Sequence, residues 1–302
     1  MKSEINLSIK TPVLFLVFNR LDTTKKVFEE IKKARPRVLF IAADGPRNES
    51  ERKKTDQVRD YILKNVDWNC RLKTLFRERN LGCKIAVSSA IDWFFNNVER
   101  GIILEDDCLP QQSFFKYCEE ILEKFKDNEK IMHIAGTNVE GISEIPESYF
   151  FSRHFNVWGW ASWKRAWEKY DVNIKIWPKV RKERLIRKYS RNYLDYLENV
   201  RGLNNLYKGK LDTWDYQWAF TCIINNGFAV HPRKNQITNI GFTEQGTHTN
   251  KSDKRKILKS YPLEFPLEDN SLINNSKRYE EYAAKFFHQG RILKKIKKIL
   301  RI

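Results

Sequence analysis

Unbroken apolar runs alternate with helical periodicities along the first half of the chain. "PVLFLVFNR" (12–20) is a β-rich run of the kind expected in a strand buried on both faces. Asp22 then suits a helix N-cap, and "TTKKVFEEIKKA" carries Val27, Ile31 and Ala34 at helical spacing. "RVLFIAADG" (37–45) reads as a second buried strand, and 48–65 as a highly charged, exposed helix. "CRLKTLFRERN" (70–80) predicts a third strand, "GCKIAVSSAIDWFFNNV" (82–98) a helix and "GIILED" (101–106) a fourth strand. "QSFFKYCEEILEKFKD" (112–127) is an amphipathic helix and "IMHIAG" (131–136) a further strand. Such alternation predicts an α/β fold with a mixed, mostly parallel sheet flanked by helices.

The pattern changes after about residue 145. "FFSRHFNVWGWASWKRAW" is aromatic and irregular, 182–200 reads as a charged helix, and 212–226 as an apolar one. From 251 the chain is Lys-rich and ends in a distinct helix. Residues 1–145, 146–250 and 251–302 thus divide the chain into two halves of one catalytic unit and a basic tail, with no internal repeat.

Composition narrows the partners. Lys and Arg outnumber Asp and Glu by 56 to 38, a formal net charge of +18, which favours anionic partners such as phosphorylated small molecules, anionic lipid or nucleic acid. Nine tryptophans suit places where a flat apolar face meets a polar ligand. Five scattered cysteines without CxxC spacing read as reduced thiols of a cytoplasmic protein. Neither a secretory signal nor an apolar run near the ~20 residues of a bilayer span is visible.

Against that charge, "GIILEDDCLP" (101–110) sets Glu105, Asp106 and Asp107 side by side after an apolar run. Ligands of open α/β sheets bind beyond the carboxyl ends of the strands, and three such ends here are polar: Asn19-Arg20, Asp44-Gly45 and the acidic trio. Asp44 can accept from a base or ribose, and Arg20 can meet a phosphate. The trio can hold a hard dication, Mn2+ or Mg2+, whose charge offsets the local repulsion. The plain alternative is an acidic turn at the start of the helix that follows.

These segments resemble the GT-A nucleotide-sugar glycosyltransferases, in particular the inverting group typified by the animal N-acetylglucosaminyltransferases of complex N-glycan branching, with related bacterial surface-polysaccharide enzymes. The resemblance runs over about residues 12–250. It rests on "VFNR", "AADGPRN", "RNLGCKIAVSSAIDWFF", "GIILEDDCLPQQSFFKYCEEIL", "VWGWASW", "TWDYQWA" and "NIGFTEQGTH". It implies a nucleoside-diphosphate sugar donor, a UDP-sugar first, with Asn19, Arg20 and Asp44 at the nucleotide and Asp107 as the metal ligand. Glu105 and Asp106 would contact the sugar or ribose. The family's general base lies in a Trp-Asp-Asp-Trp segment, which here reads Trp214-Asp215-Tyr216-Gln217-Trp218, so Asp215 is the expected base and Asp212 the fallback. A helix N-cap is the other role open to Asp215.

Further candidates flank these. Asn80 and Lys84 border Gly82 at a helix start, where amides favour anions, although a simple cap fits the same pattern. Gly159 lets the backbone approach a ligand, and Trp160 either stacks on the acceptor or joins a core tryptophan cluster. His248 could bind diphosphate or metal. "RILKKIKKILRI" (291–302) separates Ile and Leu from Lys and Arg on two helical faces, as an interfacial helix for an anionic membrane does. The sequence therefore points to an inverting, metal-dependent glycosyltransferase on the inner face of the plasma membrane, acting on a glycan or lipid-linked acceptor. A sugar-phosphate nucleotidyltransferase is the main alternative, yet "FNRLDTTKK" lacks the glycines of a phosphate loop. Nucleic acid is not an expected partner, because no nucleic-acid motif appears.

Overall fold

The structure is a computed structural model that describes residues 8–241, 258–270 and 272–286. Its frame is an eight-stranded mixed sheet. The first half supplies β1 (Val13–Val17), β2 (Val38–Ala43), β3 (Arg71–Phe76), β4 (Arg100–Glu105), β5 (Cys108–Pro110) and β6 (Ile131–Ala135). Between them lie α1 (Leu21–Ala34), α2 (Glu49–Asn65), α3 (Gly82–Phe95) and α4 (Gln112–Lys124). Beyond residue 145 come β7 (Tyr149–Ser152), β8 (Trp160–Trp163), α5 (Lys164–Trp167), α6 (Trp177–Lys182), a 3₁₀ turn (Leu185–Tyr189), α7 (Tyr193–Tyr207), α8 (Asp215–Ile224), β9 (Phe228–Pro232) and β10 (Ile237–Asn239).

The sheet order is β3-β2-β1-β4-β8-β6-β9-β7, so strands from both sides of residue 145 share one sheet. β1 lies parallel to β2 and β4, and β2 parallel to β3, which brings four carboxyl ends to one rim. β8 runs antiparallel between β4 and β6. Alternation along β1 builds two cores. Val13, Phe15 and Val17 pack with residues of α1, α2 and α4, whereas Leu14 and Leu16 pack with residues of α3, α5 and α8. Helices thus cover both faces, which is why β1 and β4 read as unbroken apolar runs.

Several expectations need correction. Asp22 is not the N-cap of α1: Arg20 holds that place, its carbonyl accepting the Thr24 amide at 3.0 Å, and Asp22 lies in the first turn. α2 is not wholly exposed, since Glu51, Thr55, Val58 and Ile62 form a buried stripe. The single helix expected over 182–200 is broken. Arg184 takes a left-handed conformation (φ 54°) beyond α6, and Asn192 restarts the helix by accepting the Asp195 amide at 2.9 Å. The aromatic stretch expected to be irregular contains β8.

Candidate active site

The rim formed by β1, β2 and β4 gathers the polar strand ends. Arg20 leaves the end of β1 and bonds both Asp106 and Asp107: its Nη2 donates to an oxygen of each, at 3.0 Å for Asp107, and its Nε reaches Asp106 at 3.4 Å. Asp106 also accepts from the Phe18 amide. Burial works against the Arg20 charge, but the two carboxylates outweigh it and hold the guanidinium protonated. Burial raises the Glu105 carboxyl above its ordinary range; the charges of Asp107 and Asp106 add to the rise, Arg20 opposes it, and Asp215 contributes further. With Glu105 pushed toward its neutral form, the Asp106 and Asp107 carboxylates still outnumber the Arg20 guanidinium, which leaves the rim with surplus negative charge.

A short ribbon completes this corner. β5 pairs antiparallel with β10, and the Ile240 amide donates to the Asp107 carbonyl at 2.8 Å. Gly241 then lies so close that a Cβ there would come within 2.1 Å of Asp107 Oδ2. Any larger residue at 241 would have to displace the Asp107 carboxylate. Nothing local in "NIGF" signals it; the resemblance alone linked that segment to the site.

Asp44 and Asn80 hold β2 against the start of α3. The Asp44 carboxylate accepts from the Gly45 amide at 2.9 Å and the Leu81 amide at 3.0 Å, and Asn80 Nδ2 donates to the Gly45 carbonyl at 2.8 Å. Burial raises the Asp44 pKa, and the amides it accepts from limit the rise. The N-cap of α3 is Leu81, which offers no side-chain cap. Its free amides are met instead by Asp212, which accepts from Cys83 at 3.2 Å and Lys84 at 2.9 Å. The anion at this helix start is the chain's own carboxylate, which corrects the expectation that these amides face a ligand phosphate. Lys84 Nζ meets Asn173 Oδ1 at 3.2 Å. Asn19, expected at the nucleotide, donates to Glu51 Oε1 at 2.8 Å, and Glu51 is also held by Arg47.

Asp215 is the first residue of α8, whose N-cap is Trp214. Its carboxylate accepts from the Thr213 hydroxyl rather than from a cap amide, so it does not serve as the helix cap. Its charge acts on Glu105 and on the Cys83 thiol, which burial first and then Glu105, Asp212, Asp215 and Asp44 push up to about 12. Six acidic side chains (Asp44, Glu105, Asp106, Asp107, Asp212 and Asp215) therefore share one region of the rim with Arg20. Asp212, Thr213, Arg47, Glu51 and Gly241 belong to this region, and only Asp212 stood out beforehand, as the fallback base.

Trp160 is corrected. It is 0% exposed and stacks on His133 at 5.2 Å and on Trp214 at 5.8 Å, inside a tryptophan cluster that leaves no face for an acceptor. Gly159, in the left-handed region (φ 59°), makes room for Ile237 instead of a ligand. His248 and the tail at 291–302 lie outside the described residues.

Among the described residues, no group of three or more His, Cys, Asp or Glu side chains could hold a metal ion by itself. The rim fits a different coordination, in which Mg2+ or Mn2+ takes one or two carboxylates and completes its shell with phosphate oxygens and water. Asp107 suits that role: its side chain is 15% exposed and it stands in the negative surplus. No helix of the described residues is long and apolar enough to cross a membrane.

No family model and no curated protein matches the sequence. Among solved structures, GalNAc-T7 with UDP, GalNAc and Mn2+ is similar at 11% identity and a TM-score of 0.45, covering 76% of this chain and 43% of that one. UDP-glucose pyrophosphorylase complexed with UDP-glucose aligns at 10% identity and 0.40, over 76% and 93%. The mannosyltransferase PcManGT from Pyrobaculum calidifontis, in complex with GDP-Man and Mn2+, aligns at 10% and 0.37, over 55% and 49%. The chain has an α/β fold with a large, mostly parallel mixed sheet flanked by helices.

Proposed function

We propose that the protein is a metal-dependent glycosyltransferase that moves a sugar from a nucleoside-diphosphate sugar to a hydroxyl of a glycan or lipid-linked acceptor, with inversion. The reading rests on one observation. The carboxyl ends of β1, β2 and β4 bring Arg20, Asp44 and the acidic trio to the same rim as Asp215, a carboxylate spared from capping its helix.

In this reading Asp44 takes the nucleoside and Asp107 faces the diphosphate with Arg20 beside it. A bound Mn2+ or Mg2+ supplies charge neutralisation for the departing diphosphate. Asp215 accepts the acceptor hydroxyl proton as the acceptor oxygen bonds to the anomeric carbon. The bond from that carbon to the diphosphate breaks, and its electron pair leaves with the nucleoside diphosphate. Attack from the face opposite the leaving group inverts the centre. Glu105 and Asp106 line the donor side, and Arg20 limits their repulsion.

The test is product analysis of the full chain with UDP- and GDP-sugars, Mn2+ and hydroxyl acceptors. Release of nucleoside diphosphate, with sugar on the acceptor, is expected. The nucleotidyltransferase alternative makes a different product, nucleoside triphosphate from the nucleotide sugar and pyrophosphate. Formation of triphosphate without sugar transfer would replace the proposal.

A further inference from the structure

Between α5 and α8 the chain leaves the sheet and folds into a small helical cap. Ile174, Trp177, Val180, Ile186, Tyr196 and Leu206 form its interior and close on Phe220 of α8. Outside that interior the cap also leaves large apolar side chains exposed. Leu194 is 74% exposed, Tyr193 59% and Leu197 42%, and their i, i+1, i+4 spacing puts all three on one side of α7. Leu185 of the 3₁₀ turn is exposed as well.

Charge accompanies these residues. Residues 175–191 contain eight Lys or Arg and one acidic residue, Glu183. Among the described residues only one of the eight, Arg191, makes an ion pair, with Asp195. Arg187 lies 5.9 Å from the centre of the Tyr193 ring, which sets a cation beside the exposed aromatic.

We propose that this face of the cap docks on an anionic phospholipid bilayer. Leu194, Leu197 and Leu185 enter the boundary between headgroups and acyl chains, Tyr193 sits at headgroup level, and Arg184, Arg187 and Lys188 meet lipid phosphates. Charge complementarity commits the surface to an anionic partner. The aliphatic side chains favour a bilayer over a nucleic acid, whose bases are met by stacking aromatics. Through Phe220 the cap is fixed to α8, the helix that begins at Asp215, so docking holds the rim near the membrane. This inference does not depend on the reaction assigned to the rim.

Co-sedimentation of the full chain with phosphatidylcholine vesicles, with and without phosphatidylglycerol, tests it. Wild type is expected to bind only the anionic vesicles. Leu194→Ser/Leu197→Ser and, separately, Arg184→Glu/Arg187→Glu/Lys188→Glu should each weaken that binding about tenfold or more, at unchanged Tm. Residues 291–302 remain in every variant, so their contribution is common to the comparison. Wild-type partitioning of either variant overturns the proposal, as does failure of wild type to bind anionic vesicles. Tight binding of duplex RNA or DNA that the charge reversal abolishes and the leucine pair leaves intact overturns it in favour of a nucleic-acid surface.

Discussion

Arg20, at the end of β1, is the internal counter-ion of Asp106 and Asp107, at the end of β4. The pairing spans more than eighty residues of sequence and ties two parallel neighbours at the rim. Arg20→Ala would leave the almost fully buried Asp106 without its cation. The expected cost is about 3–5 kcal/mol, the range for a buried pair that loses one partner, read by chemical denaturation. Asp106→Asn in the same background should recover part of it. A loss of only a few tenths of a kcal/mol would mean that the pair is effectively solvated.

Asp107→Ala keeps the Arg20–Asp106 pair and should therefore keep the fold, while Mn2+-dependent UDP binding disappears in calorimetric titration. Gly241→Ala acts on the same group from the other side, because the new Cβ must displace the Asp107 carboxylate. It should weaken Mn2+-dependent binding with little change in Tm. Wild-type affinity in Asp107→Ala would overturn the proposal that this residue holds the metal.

Asp215 and Asp212 separate by their partners. Asp215→Asn still accepts the Thr213 hydroxyl but cannot take a proton, so Tm and donor affinity should persist while transfer falls about 10²–10⁴-fold. Asp212→Asn can still cap α3, and transfer should stay within a few-fold; Asp212→Ala should cost about 0.5–2 kcal/mol of stability. Full transfer by Asp215→Asn at saturating acceptor would exclude it as the base.

Trp160→Ala should behave as a core truncation, costing about 3–5 kcal/mol. Trp160→Phe should cost far less, since the indole N–H it removes has no hydrogen-bond partner among the described residues. A folded Trp160→Ala variant of normal stability with a raised acceptor KM would instead restore Trp160 to the acceptor site.

Two buried histidines set an acid limit. His133 Nδ1 accepts from Trp218 at 3.1 Å, which leaves Nε2–H to donate to the Asn156 carbonyl at 2.8 Å. Burial lowers His133 to about 3 and His231 to about 4, against an ordinary 6.5. Below pH 6.5 the unfolded chain binds protons that the folded chain refuses, so stability is fully present above 6.5 and declines as pH falls toward 4 and then 3. Imidazole NMR signals of both residues should stay untitrated between pH 7 and 5. Midpoints near 6.5 would show that the rings are hydrated.

Local periodicity was enough to locate β1 to β4, β6 and the helices α1 to α4, because a repeat of apolar positions needs no distant partner to be read. The sequence also marked the three polar strand ends, since an apolar run that stops at Asn19-Arg20, Asp44 or Glu105 announces a rim. Where the reading failed, the information was not local. β8 is a four-residue strand whose antiparallel place between β4 and β6 depends on partners some thirty to sixty residues away. The same tryptophan pattern serves a ligand platform or a core cluster, and only the packing of Trp160 against His133 and Trp214 decides between them. Tertiary structure likewise assigned each carboxylate its partner: Asp212 to the amides of α3, Asp106 to Arg20, and Asp215 to a neighbouring hydroxyl. An ionisable side chain has the same identity in every setting, and what it can do is fixed by the donors and charges that folding brings to it from distant parts of the chain.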